Sequence, residues 1–117
     1  MKYLLLFCGT TEGQREYEAL GEEALAARFA EVRRWFDEYG DRLGARGQLQ
    51  PPETATTVHL DRGAAPLVTD GPFLEGNEVI GGYCEVDVGE LDDALAMARR
   101  WPGGGSVEIR PIVSRPA

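Results

Sequence analysis

The sequence predicts an α+β protein of ferredoxin-like βαββαβ order: a four-stranded antiparallel sheet, two helices on one face, and an inserted hairpin. Three stretches carry this reading. "KYLLLFC" (Lys2–Cys8) is almost continuously apolar, as expected of a central strand covered on both faces. From Glu22 to Tyr39, the residues Leu25, Phe29, Val32, Phe36 and Tyr39 recur at spacings of four, three, four and three, which is one helical stripe. "EVIGGYCEVDV" (Glu78–Val88) alternates, with Ile80, Gly82, Cys84, Val86 and Val88 on one side and Tyr83, Glu85 and Asp87 on the other.

The remaining elements follow in order. After the first strand, "GTTEGQ" reads as a break made of glycine and small polar residues. Gly40 stops the long helix. A short strand is expected around Gly47–Gln50, ended by Pro51-Pro52. An edge hairpin comes next, Thr56–Leu60 against Pro66–Thr69, with Val58 and Leu60 on one face and Thr57 and His59 on the other. His59, the only histidine, is expected to be exposed on the polar face. Gly81-Gly82 is costly inside a strand and marks a bulge or the close approach of another group. "GELDDALAMARRW" is a helix with Leu91, Ala94, Leu95 and Ala98 inward and acids in its first turn, where they complement the helix dipole. "PGGG" ends it, and "SVEIRPIV" is the last strand.

Length and composition bound the function. A chain of 117 residues is read as one domain over its whole length. Its net charge of −8 opposes binding to a phosphate backbone, and Arg33-Arg34 and Arg99-Arg100 fall on solvated helix faces. No run reaches the roughly 20 apolar residues of a membrane span, and the apolar start is shorter than the roughly 7–15 residues of a signal core. A cytoplasmic protein is expected. Cys8 and Cys84 show no metal-ligand spacing and are read as small buried residues. No GxGxxG, P-loop, GxSxG or HExxH occurs, so neither metal nor cofactor is expected.

The functional argument turns on the sheet face that the helices leave uncovered. Tyr83, Glu85, Glu108 and Arg110 are expected there, joined by one of two sets from the first strand: Tyr3, Leu5 and Phe7, or Leu4, Leu6 and Cys8. So much apolar surface calls for a homodimer with facing sheets that enclose a small-molecule cavity. A cross-strand ion-pair ladder of Glu85, Glu108 and Arg110 is the structural alternative. The stretch "VTDGPFLEG" adds an acidic turn. Asp70-Gly71-Pro72 suits a sharp bend, with Asp70 bonding its own backbone and Gly71 taking an unusual φ. It also offers Asp70, with Glu75 or Glu78 nearby, as a general base or ligand anchor at the cavity mouth.

These stretches resemble a known family. "VTDGPFLEGNEVIGGYCEVDVGELDDALAMA" and "GSVEIRPIV", with "MKYLLLF" and "LQPPETATTV", look like the YCII-related group in its DGPF-domain branch. The resemblance implies a dimeric, ferredoxin-like α/β barrel. It also implies two functions: a His-Asp enzyme in some members, and a regulatory module associated with sigma factors in the DGPF branch. The sequence departs from the first pattern, since His59 does not match the family's histidine and Asn77 stands where the branch carries a lysine. A binding or regulatory module is therefore the leading expectation. The alternative is a hydrolase- or lyase-like enzyme with Asp70 as base and Arg110 orienting an anionic group.

Overall fold

In the computed structural model, which describes residues 1–60, 63–72 and 77–115, the order is β1 (Lys2–Thr10), α1 (Thr11–Glu18), α2 (Glu22–Tyr39), β2 (Leu43–Gln48), β3 (Thr56–His59), β4 (Leu67–Asp70), β5 (Glu78–Asp87), α3 (Leu91–Arg99) and β6 (Ser106–Pro111). Four strands form one sheet in the order β2-β5-β1-β6, with every neighbouring pair antiparallel. With the β3–β4 hairpin set aside, that is the ferredoxin-like arrangement. The hairpin does not extend an edge of this sheet. It forms a two-stranded sheet of its own.

Register decides which residues share a face. Tyr3, Leu5 and Phe7 of β1 lie opposite Val86, Cys84 and Gly82 of β5, and Leu5 and Phe7 lie opposite Ile109 and Val107 of β6. This side receives α2 and α3, and its core is Tyr3, Leu5, Trp35, Cys84, Val86, Val88, Ala94 and Met97. Trp35 ties the layers together: its indole N–H donates to the Met97 carbonyl at 3.0 Å, so the polar atom is satisfied while the ring is buried. Phe7 stacks on Trp101 at 3.9 Å between centroids.

The glycine pair meets both expectations placed on it. Phe7 pairs with Gly82 and Cys8 with Ile80, which leaves Gly81 as the extra residue of a bulge. At Gly82 a Cβ would lie 3.0 Å from the Gly47 carbonyl oxygen, so β2 approaches β5 where a side chain would obstruct it. The bulge also corrects the predicted alternation. Beyond it Val79 is buried, and Ile80 moves to the opposite face, beside Cys8.

Four further corrections concern the helices and an edge strand. "TEGQREYE" is a helix, not a break. The Thr10 hydroxyl accepts from the Gly13 N–H at 3.0 Å and starts it, but the helix buries no residue, so it has no apolar stripe to read. The buried stripe of α2 runs through Trp35, at 3% exposure, and excludes Phe29, at 46%. In α3 the buried residues are Ala94 and Met97, whereas Leu91 is exposed. The first edge strand spans Leu43–Gln48, earlier than expected, because the glycines of "LGARGQ" read as breaks and here pair with β5.

Candidate functional site

The other sheet face is built from Leu4, Leu6 and Cys8, which settles the choice between the two sets from β1. Opposite them stand Glu85, Tyr83 and Ile80 on β5, and Arg110, Glu108 and Ser106 on β6. Thr10 pairs with Glu78, so Glu78 joins the same face at its far end. Five of the predicted site residues (Glu78, Tyr83, Glu85, Glu108 and Arg110) thus share one surface. The apolar residues and Tyr83 and Glu85 are half-buried, while Glu108 and Arg110 are exposed.

Three residues of this face were not anticipated. Lys2 has the parity of Leu4 and Leu6, and its Nζ lies 3.5 Å from Glu85 Oε1. Gly44 and Gly47 on β2 make room for the β5 side chains. A Cβ at Gly47 would lie 3.1 Å from the Tyr83 ring, and one at Gly44 would lie 3.4 Å from Glu85. The missing side chains let Tyr83 and Glu85 lie across the edge strand. The period of two in Lys2–Leu4–Leu6 signals the first of these residues. The glycines give no signal until the register is known. Among the described residues of the single chain, Glu85 pairs with Lys2, and no ion pair links Glu85, Glu108 and Arg110.

The thiols lie on opposite sides of the sheet. Burial pushes Cys84 up from 9.0 to about 11. Cys8 is also raised, first by burial and then by the carboxylate of Glu108, against a lowering by a backbone hydrogen bond at Glu108, with Glu78 adding the least. Both are thiols rather than thiolates at neutral pH, and neither is prepared as a nucleophile.

The acidic turn lies elsewhere. Asp70 ends β4 opposite Thr56, whereas Glu78 begins β5, so the two carboxylates belong to different sheets. Glu75, with Phe73 of the DGPF signature, falls outside the described residues. Gly71 takes φ +100°, the left-handed conformation expected of it. Asp70 does not hold the turn among the described residues. The Gly71 N–H donates to the Ala55 carbonyl and the Thr57 hydroxyl to the Gly71 carbonyl, both at 2.7 Å. Pro72 has no N–H to give Asp70 two residues on. His59 is half-buried rather than exposed, with Nε2 3.1 Å from Thr69 Oγ1.

Two hollows lie away from these residues. One of about 500 Å³, at the end of the sheet, is lined by Met1, Arg42, Asp87, Val88, Gly89 and Asp93. A groove of about 330 Å³ between α3 and β6 runs past Leu95, Trp101, Val107 and Ile109. Neither reaches Tyr83, Glu85, Glu108 or Arg110. Among the described residues no three His, Cys, Asp or Glu side chains gather as a metal-binding set, and no helix is long and apolar enough to cross a membrane.

The chain is 35% identical over 95 residues to an uncharacterized protein of Rhizobium meliloti (strain 1021), covering 78% of this chain and 75% of that protein. The model of the YCII-related domain matches residues 1–114. With nearly the whole chain matched, the protein belongs to the YCII-related domain family.

Proposed function

We propose that the protein is a small homodimeric binding or regulatory module of the DGPF branch, whose ligand cavity lies between two facing sheets. The observation that carries this reading is the composition of the uncovered face. Leu4, Leu6, Ile80 and Tyr83 provide an apolar floor, and Lys2, Glu85, Glu108 and Arg110 a charged rim. Ligand sites are mostly apolar with a few polar groups to fix orientation, and a face of this kind becomes a cavity once a second sheet closes over it. The face carries Lys2 and Arg110 against Glu78, Glu85 and Glu108. Two copies therefore meet near charge balance there, although each chain carries −8 overall. Arg110 has no ion pair among the described residues and is the natural anchor for an anionic ligand group.

Light scattering at micromolar concentration tests the dimer, and a monomer there removes the cavity. A thermal-shift screen of small carboxylates and phosphates tests the site. A compound at a hundred times its Kd should stabilise wild type by about 2.7 kcal/mol and should lose that effect on Arg110→Ala. The regulatory side of the reading is association with a sigma factor in the cytoplasm, tested by co-purification. Capture of a sigma factor by wild type and not by Arg110→Glu would place the contact on this face. The enzymatic alternative requires Asp70 to be enclosed as a base, and in the single chain Asp70 is exposed on the hairpin.

A further inference from the structure

The β3–β4 hairpin is amphipathic the wrong way round for a free protomer. Val58, Leu60 and Val68 are 52%, 79% and 59% exposed. On the other face Thr57, His59 and Thr69 are half-buried and make the hydrogen bonds, with Leu67, opposite His59, the one exposed apolar residue among them. A two-stranded ribbon is marginally stable alone and needs its apolar face covered. Asp70 shares that outer face, since Thr56 pairs with Asp70 and Val58 with Val68.

The size of the exposed surface points to what covers it. The chain exposes 8812 Å², against roughly 6300 Å² for a compact monomer of its mass. Its radius of gyration is 16.6 Å, where a compact chain of this length has about 13 Å. The Cα extents of 48 × 46 × 19 Å describe a slab. The excess of about 2500 Å² exceeds the roughly 800 Å² that one partner loses in a standard interface. The open face of the sheet cannot absorb it alone. Four strands about 4.8 Å apart and some six residues long project only about 400 Å². The arm's outer face is a second exposed apolar surface for a partner to bury, and it gathers Val58, Leu60 and Val68, whereas the other exposed large apolar residues, such as Phe29, Leu91 and Val113, lie on other elements. A second copy of the chain satisfies both surfaces at once, because a two-fold interface supplies each open face and each arm twice.

We infer that the β3–β4 hairpin is an intersubunit arm whose outer face, Val58, Leu60, Val68 and Asp70, is covered by a second copy of this chain, so that Asp70 lies at a shared site incomplete in one protomer. This rests on the homodimer proposed above and adds a second contact to it. It also explains why a turn acid stands on an exposed apolar ribbon: the carboxylate is a free surface group in one protomer and an interface group in two.

Two experiments test it. A photo-crosslinking benzoylphenylalanine at Leu60 is irradiated in an equal mixture of ¹⁴N- and ¹⁵N-labelled chains. Crosslinked peptide pairs carrying both labels are expected, and products confined to one chain overturn the arm. In parallel, Val58→Asp/Val68→Asp and, on the sheet face, Leu6→Asp are followed by light scattering, with near-ultraviolet circular dichroism of the tryptophans reporting the fold. The arm variant should raise the dimer dissociation constant at least about tenfold with an unchanged spectrum. If it dimerises like wild type while Leu6→Asp dissociates, the arm inference fails and the facing-sheet dimer stands. A wild-type monomer overturns both.

Discussion

The covered face of the sheet and the outer face of the β3–β4 arm use the same device, an apolar residue at every second position. The protomer treats them oppositely. On the sheet, Tyr3, Leu5, Cys84 and Val86 are nearly inaccessible, whereas on the arm Val58, Leu60 and Val68 are more than half exposed. Alternation states which residues travel together; it does not state which side is inside. That depends on what packs against the strand. For the sheet, the covering helices are part of the same chain. For the arm nothing among the described residues fills that role, so the same pattern reads as a request for a partner.

The largest effect that sharpens the contrast is expected at Trp35. Its ring contacts Phe7, Phe36, Tyr39 and Trp101, and its N–H holds the Met97 carbonyl. Trp35→Ala should cost about 3–5 kcal/mol in urea unfolding. Val68→Thr on the arm, followed in dilute solution, should stay within about 0.5 kcal/mol. Equal losses at the two positions would mean that the arm is packed within the protomer.

Next comes Cys84, buried under the helices with its thiol raised from 9.0 to about 11. Between those values the unfolded chain loses the thiol proton while the folded chain keeps it. Stability therefore falls as pH rises, by about 1.4 kcal/mol per pH unit and 2–3 kcal/mol across the window. Unfolding of wild type and Cys84→Ala, compared from pH 8 to 11, isolates this slope. A parallel pH dependence in the two proteins would refute the burial assigned to the thiol.

Gly82 and Gly47 mark the two sides of the sheet at one place. A Cβ at Gly82 meets the Gly47 carbonyl, which belongs to the backbone. Gly82→Ala should therefore cost about 1–3 kcal/mol. At Gly47 the obstacle is the Tyr83 ring on the open face, which can swing aside, so Gly47→Ala should cost less. If Gly47→Ala proves as costly as Gly82→Ala, the Tyr83 ring is held in place by something beyond this chain, as a facing sheet would hold it.

These positions show what could be read from residues alone. The strand order was legible because β1 and β5 carry long, unambiguous patterns and the glycine pair announced a bulge. The candidate face was legible because Tyr83, Glu85, Glu108 and Arg110 have the wrong parity for the core. What escaped was information that exists only between elements. Trp35 was passed over because two stripes one step apart on a helix are nearly equivalent until the sheet chooses one. The helix Thr11–Glu18 starts from a threonine cap and has no apolar face. Gly44 and Gly47 matter only because Glu85 and Tyr83 lie over them.

The smallest expected effect bears most directly on the open face. Lys2 and Glu85 stand 3.5 Å apart with side chains 59% and 30% exposed, and such a pair is worth about 0.2–1 kcal/mol in water. A facing sheet would exclude water and lower the effective dielectric, which strengthens the attraction between the same two charges. A double-mutant cycle of Lys2→Ala and Glu85→Ala, read by unfolding below and above the dimer dissociation constant, separates the two states. The coupling should be near 0.5 kcal/mol for dilute protein and should rise, with weaker salt dependence, where the dimer forms. A coupling that ignores concentration while the protein dimerises would mean that water reaches Glu85 in both states. The copies would then meet elsewhere, and the face would remain an open surface instead of the wall of a cavity.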